Sequence, residues 1–323
     1  EALAYLDNTG RDETGQERVG FTASRNSLLG IRDRLTVGGI FANGTTGFNV
    51  SYDIPLYRRG TRLRINYDRS DISVERGALA ALNIEGDSDV VGFLVTHPIL
   101  VAKTLQLSSF AGYNIKSSNT SVSGVDILDT DVRSAVFGAN FLKYDNKGYW
   151  SLQSVLTQGF DDFGGDREFL KYNGEFSRIH FLKKQIYLLI RTSVQLSDES
   201  FLPSSEQFQM GGLTTVRGYR EGILIGDAGY YLNAELHFPI QIPYQNQGFF
   251  RNRVSGFFFV DQGATIAVQD AEEDNTLVSA GVGFNVRLNR YLNGRFVAGF
   301  PLKDDLRTDE TDARFHFYIQ AQF

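Results

Sequence analysis

The chain has 323 residues and no cysteine, and its 32 Lys plus Arg against 38 Asp plus Glu give a formal net charge of −6. The missing cysteines exclude a disulfide framework, thiolate catalysis and Cys-ligated zinc, and a negative balance without a basic run argues against nucleic-acid binding. Hydrophobic residues make up 42%, yet the longest apolar runs (186–190 and 257–260 are examples) fall far short of the roughly 18 residues a spanning helix needs. A helical membrane protein is excluded on that ground. A barrel is not, because its strands alternate and hide in average hydropathy.

Glu1 is not an initiator, and no basic region followed by an apolar run opens the sequence, which therefore reads as a mature form or as part of something longer. Helical periodicity is almost absent from there on, and period-two alternation recurs. In chain order the alternation predicts about sixteen strands: 1–8, 17–27, 33–43, 46–56, 61–72, 88–98, 103–116, 131–142, 148–159, 169–182, 185–197, 229–239, 252–262, 276–288, 292–300 and 312–323. In 61–70, Leu63, Ile65 and Tyr67 face away from Arg62, Arg64, Asn66 and Asp68. In 185–196, Ile186, Leu188 and Ile190 lie opposite Arg191, Ser193 and Gln195. In 276–289, Val282, Phe284 and Val286 oppose Gly283, Asn285 and Arg287, and the last strand sets Phe315, Phe317 and Ile319 against Arg314, His316 and Tyr318.

Long connectors are expected at 73–87, 117–130, 160–168, 198–228, 263–275 and 301–311. Short ones are expected at 28–32, 57–60, 99–102, 143–147, 183–184 and 289–291, with 240–251 long on the short side. Long loops on one rim and tight turns on the other belong to outer-membrane barrels, and an even strand number suits closure. A soluble β-sandwich also alternates. Against it, the strands are nearer a tilted membrane-spanning length than the usual five or six residues, their polar faces carry Arg, Asn and Gln, and no linker divides off a second core. The prediction is an all-β fold, a 16-stranded antiparallel transmembrane β-barrel over residues 1–323. Aromatics near strand ends, among them Tyr57, Tyr144, Tyr149, Trp150, Tyr291 and Phe323, suit interfacial girdles.

The stretch QFQMGGLTTVRGYREGILIGDAGYYLNAELHFP at 207–239 contains a connector of about 30 residues, longer than connections usually are without a function. Its centre holds Val216, Arg217, Gly218 and Tyr219. If the loop folds inward, Arg217 lies in the barrel and needs a carboxylate. Alternation supplies two. Leu232, Ala234, Leu236 and Phe238 face lipid, which turns Asn233, Glu235 and His237 to the lumen; Val254, Phe258 and Val260 face lipid, which turns Ser255, Phe257, Phe259 and Asp261 inward.

These residues also carry a family likeness. VRGY at 216–219, the acid in AELHFP at 234–239, FFFVDQG at 257–263, GD-x-G at 226–229 and the opening DNTGRDETGQERVGFTASRNSLLGIRDRL resemble the barrel domain of two-partner secretion transporters, the haemolysin and adhesin exporters. Their superfamily includes the barrel-assembly insertases. The resemblance implies that Arg217 pairs with Asp261, with Glu235 nearby. It also implies two periplasmic POTRA domains, and often a plug helix, ahead of the barrel, which this chain does not contain. The function it implies is passage of an unfolded exoprotein across the outer membrane of a Gram-negative-type cell, with no cofactor and no catalysis. A same-superfamily insertase opening between 1–8 and 312–323, and a diffusion porin, are the alternatives.

Arg64, Asp68, Arg191, Asn285 and Arg287 are expected to line the polar lumen, where weak hydrogen bonding lets an extended chain pass. The partners expected are the exoprotein, outer-membrane lipid and lipopolysaccharide; nucleic acid is not one, and the barrel is expected to be a monomer. His97, His180, His237 and His316 have no metal-like spacing, so no metal site is expected. His237 beside Glu235 suggests a catalytic dyad only weakly, because no G-x-S-x-G element accompanies it. The acidic groups Asp161, Asp162 and Asp166, and Asp270, Glu272, Glu273 and Asp274, lack EF-hand spacing and read as solvated loops.

Overall fold

A computed structural model describes residues 1–162, 164–183, 185–240, 254–266, 275–303 and 313–323. The acidic group at 270–274, and most of the connectors expected at 240–251 and 301–311, lie outside these residues. The strands are β1 (Ala2–Asp7), β2 (Arg18–Asn26), β3 (Arg34–Ala42), β4 (Thr45–Pro55), β5 (Arg62–Ser73), β6 (Ile84–Val101), β7 (Leu105–Val122), β8 (Val125–Asp145) and β9 (Gly148–Phe160). They continue with β10 (Phe169–Lys183), β11 (Ile186–Ser197), β12 (Phe208–Met210), β13 (Leu224–Gly226), β14 (Ala228–Pro239), β15 (Val254–Ile266), β16 (Thr276–Arg287), β17 (Leu292–Pro301) and β18 (Arg314–Gln322). All but β12 and β13 form one closed barrel of sixteen antiparallel strands in which β18 returns to β1. The two short strands pair with each other inside the long loop.

Closure follows from the alternation. Phe48, Phe137, Leu156, Leu232, Phe258 and Phe284 are exposed on the outer face, while Asn233, Glu235, Asp261 and Ser279 are buried inside. An outward apolar band with a polar interior is the arrangement a bilayer stabilises, and closing the sheet leaves no strand edge in hydrocarbon. The seam is short because β1 has six residues. It runs from Leu3 opposite Gln322 to Asp7 opposite Tyr318. The Asn8 side chain lengthens it by donating to the Phe315 carbonyl and accepting from the Phe317 N–H, each at 2.8 Å, as a further peptide unit would.

The long-loop rim departs from expectation. The 117–130 loop is not a loop: β7 and β8 continue to Val122 and Val125 and meet at Ser123-Gly124, whose φ angles of 52° and 79° suit a tight hairpin turn. Likewise β6 begins at Ile84, inside the expected 73–87 connector, and β15 runs on to Ile266. These extensions rise beyond the apolar band. No lipid covers them there, so their sequence (KSSNTSV, DILDTD) lacks the apolar alternation while its backbone still pairs. Tyr149 sits on the lumenal face with Gln153 rather than in an outer girdle, because its neighbours Trp150 and Leu152 point outward.

Candidate functional site

Between β11 and β14 the chain turns into the barrel instead of away from it. Four glycines with positive φ, Gly211, Gly212, Gly218 and Gly222, let the loop fold on itself, and β12 and β13 close it as a small hairpin. Phe208, Met210, Val216, Tyr219 and Leu224 of the loop pack with Leu277 of the wall in one buried cluster. The loop therefore carries its own apolar core within a polar lumen.

Arg217 stands at the tip with no solvent exposure. Its Nε and Nη2 donate to Asp261 Oδ2 and Oδ1 at 2.7 and 2.6 Å, and its backbone N–H donates to Oδ2 at 3.1 Å. Its Nη1 donates to Glu235 Oε1 at 2.6 Å. The planar guanidinium thus satisfies two carboxylates at once, one of them through the fork geometry that a lysine lacks. Its Cζ lies 3.7 Å from the Phe259 ring centroid. The Phe257 and Phe259 rings lie against Gly283 and Gly281 of β16, where a β-carbon would collide with them. Inward-facing phenylalanines and glycines on adjacent strands thereby make the floor beneath the arginine.

Each neighbour in the motif has a separate task. At Gly218, φ is +95° and an added β-carbon would press on the Gly299 backbone of β17, so only glycine lets the tip approach the wall this closely. The Tyr219 hydroxyl, with one proton to donate, lies 2.8 Å from both the Val278 and the Lys303 carbonyl. Val216 is fully buried in the cluster with Leu277. Asn233 Nδ2 bonds both Asp261 Oδ1, at 2.8 Å, and the Thr215 carbonyl, tying acid and loop backbone together.

Glu235 is shared. Arg295 Nη2 and Arg191 Nη2 reach its Oε1 at 2.8 and 3.3 Å, and His237 Nε2 lies 2.7 Å from Oε2. The His237 ring stacks between Tyr187 and Phe257, with centroids 4.4 and 4.9 Å away. Residues two apart on one strand need not touch, but here they do. A cavity of about 410 Å³ opens below, lined in part by Tyr187, His237, Asn285, Arg287 and Arg295.

The remaining lumenal candidates do not converge on the loop. Arg64 faces Asp53 at 3.6 Å on the opposite wall, and Asp68 accepts from Asn66 at 2.6 Å. Asn285 Nδ2 lies 3.5 Å from Ser255 Oγ, and Arg287 stands at the cavity's rim, exposed. Of the lumenal residues expected, only Arg191 joins the network around Arg217. Asp161, Asp162 and Asp166 are exposed.

Sequence reasoning missed Arg295 and a second anchor. Arg295 shares a face with Val297, and reading the alternation of 292–300 would have turned it inward. The second anchor is Glu206, which is buried between Lys116 Nζ of β7 at 2.5 Å and Lys171 Nζ of β10 at 2.6 Å. Burial opposes ionisation of Glu206, and the two ammonium groups outweigh it and hold the carboxyl below its usual range. Gln195 donates to the Glu206 and Asp227 carbonyls, both at 2.9 Å, and Asp227 accepts from the backbone N–H groups of Phe201 and Leu202. Residues of β7 and of the β10–β11 hairpin build this contact, and no spacing signals it.

The family model of the haemolysin secretion/activation proteins ShlB/FhaC/HecB matches residues 1–286. The heme/hemopexin transporter protein HuxB of Haemophilus influenzae (strain 86-028NP) is 24% identical over 247 residues, 71% of this chain and 43% of that protein. The outer membrane transporter CdiB of Escherichia coli O6:K15:H31 (strain 536 / UPEC) is 25% identical over 326 residues, 92% of this chain and 53% of that protein. Among solved structures, CdiB from Escherichia coli superposes with a TM-score of 0.84 at 20% identity, covering 99% of this chain and 62% of that one. BamA from Haemophilus ducreyi lacking POTRA domains 1–3 superposes at 0.76 with 14% identity, covering 100% and 70%. The chain spans about half the length of the curated relatives it matches.

Two outcomes are expected of the loop. Arg217→Ala takes the arginine from buried Asp261 while Arg191 and Arg295 remain on Glu235, and removing one partner of a buried ion pair is a class of change that costs about 3–5 kcal/mol. The loop should become cleavable by added protease and the barrel should lose its heat-resistant gel mobility earlier, with Arg217→Lys giving only partial recovery because an ammonium cannot make the bidentate contact. Burial pushes the Glu221 carboxyl up from 4.5 to about 7, while the Leu213 N–H that it accepts pulls the other way. An acid whose folded value is raised adds stability that is complete below about pH 4.5 and is lost as pH rises through about 7. Protease protection of the loop should therefore fall across that window, and Glu221→Gln should flatten the profile; an unchanged slope in Glu221→Gln would remove Glu221 as its source.

Proposed function

The chain belongs to the ShlB/FhaC/HecB family of haemolysin secretion/activation proteins, and from that premise we propose that its barrel is the outer-membrane pore of a two-partner secretion system, passing an unfolded exoprotein to the cell surface. The observation that carries the reading is a polar lumen that holds one loop pinned to the wall by buried Arg217, with a second ionic anchor at Glu206. A plug held by ion pairs and an apolar contact is removable without breaking the barrel, whereas a plug made of barrel strands is not. Once it is displaced, walls bearing Arg64, Asp68, Asn285 and Arg287 offer an extended polypeptide exchangeable hydrogen bonds and few apolar holds. Arg191 and Arg295 support the same reading. They remain on Glu235 when Arg217 leaves, so that release exposes one uncompensated acid rather than two.

On this proposal the protein works as a monomer among lipid and lipopolysaccharide and performs no covalent chemistry. Net transport comes from folding of the cargo outside. The Arg217, Asp261 and Glu235 contacts set the resting state of the pore.

The insertase reading requires the β1–β18 seam to part, and the pore reading does not. Leu3 and Gln322 are directly opposed next to the hydrogen-bonded pair Ala2 and Phe323, a position whose close approach suits a disulfide. With Leu3→Cys and Gln322→Cys oxidised, export of the partner exoprotein should continue at close to the reduced rate. Export that stops on oxidation and resumes on reduction would reject passage through a closed barrel. In planar bilayers Arg217→Ala should raise both mean conductance and current noise, since the plug is then untethered.

A further inference from the structure

The short-turn rim repeats a pairing that passage through the lumen does not use. Leu28 and Leu29 are exposed on its first turn beside Arg32, and Tyr57 on the second beside Arg58 and Arg59. Lys103 follows exposed Val101, and Lys183 follows exposed Phe181 and Leu182. Arg290 lies over the Tyr291 ring, 4.5 Å from its centroid. Lys143 is registered opposite Trp150, with Lys147 in the adjoining turn. Among the described residues, the exposed carboxylates at this rim are Glu1 and Asp145, and each is held by an arginine, Arg34 at 3.4 Å and Arg178 at 2.8 Å. The opposite rim is acidic, with Glu13, Glu75, Glu85, Asp126, Asp161 and Glu199 all exposed.

An exposed apolar side chain beside an exposed cation is unfavourable in plain water but suits the edge of a bilayer. There the apolar part enters the acyl region and the cation stays with the phosphates. At Trp150 the arrangement is already set on the outer face, in line with Leu152 and Leu156. The Arg178 guanidinium lies 4.3 Å from the Trp150 ring centroid, and the indole N–H donates to Asp145 at 2.9 Å. A surplus of turn cations around this ring selects for negative charge nearby.

We propose that the short-turn rim is a collar for anionic phospholipid, its lysines and arginines holding phosphodiester headgroups while the adjacent apolar side chains enter the acyl region and fix the barrel's depth. The collar rests on the membrane placement of the barrel and not on what passes through the lumen. Arg34, Arg62 and Arg64 belong to the lumenal wall instead, where Asp53 faces them.

Trp150 is the chain's one tryptophan and lies within the collar, so its fluorescence reads lipid contact there directly. The barrel is placed in phosphatidylcholine vesicles containing either brominated phosphatidylcholine or brominated phosphatidylglycerol at equal fraction. The brominated phosphatidylglycerol should quench more strongly, and its advantage should shrink as salt is raised. The triple variant Lys143→Gln, Lys147→Gln, Lys183→Gln, checked for wild-type heat-shifted gel mobility, should lose the preference by up to about fivefold per charge at low salt. The salt arm uses the wild-type chain, so the test stands even where the variant fails to fold. Equal quenching by the two lipids in the wild-type barrel overturns the collar, as does a preference that the triple variant keeps. Equal quenching combined with lost export in the variant assigns these cations to an acidic polypeptide instead.

Discussion

A backbone that crosses hydrocarbon meets no water to satisfy its N–H and C=O groups, so each must find a partner in the protein. Sixteen antiparallel strands meet that demand only when the last returns to the first, and everything else about this molecule is arranged around the closure. The shortest of the barrel strands, β1, is the one most exposed to failure, and Asn8 continues its ladder with a side-chain amide. Closure also creates the problem that the rest of the sequence solves. A ring this wide encloses a lumen that must be polar enough to hold water and yet must not stand open.

The loop between β11 and β14 answers with two kinds of force. Its apolar cluster gives it shape without giving it an address, since Phe208, Met210 and Leu224 could pack together anywhere. The address comes from charge. Arg217 fits where two carboxylates and an aromatic floor coincide, and Glu206 fits where two lysines do. Desolvating these ions offsets much of their mutual attraction, so their yield is orientation more than net stability. Of the groups that hold the loop, Glu235 alone also carries wall arginines, Arg191 and Arg295.

Much of this was legible in the chain itself. Alternation placed nearly all the strands, and it turned Glu235 and Asp261 inward because a period of two leaves no choice once Leu232 or Phe258 faces lipid. It failed where the bilayer stops. The β7–β8 extension pairs its backbone in water, where no apolar face is required, and 117–130 therefore read as a loop. It also failed for partners whose meeting depends on the curvature of the wall. His237 lies 2.7 Å from Glu235 on the inner face of one strand, and Arg295 reaches Glu235 across the two intervening strands, β15 and β16. Nothing in the spacing of Arg64 and Asp68 indicates that β5, which carries them, lies across the barrel from the strands that hold Arg217.

The sequence by itself determined which face of each strand meets lipid, about how many times the chain crosses, and that one long loop bears Arg217 beside a glycine at its centre. These follow from local rules, because lipid contact acts on every second residue and a turn acts on a few neighbours. Only the tertiary structure decided that Arg191 and Arg295 share Glu235 with that arginine, that Lys116 and Lys171 converge on Glu206, and that turns separated along the chain form one basic rim. Those are properties of a closed ring, in which residues far apart in number become neighbours through the circumference they share.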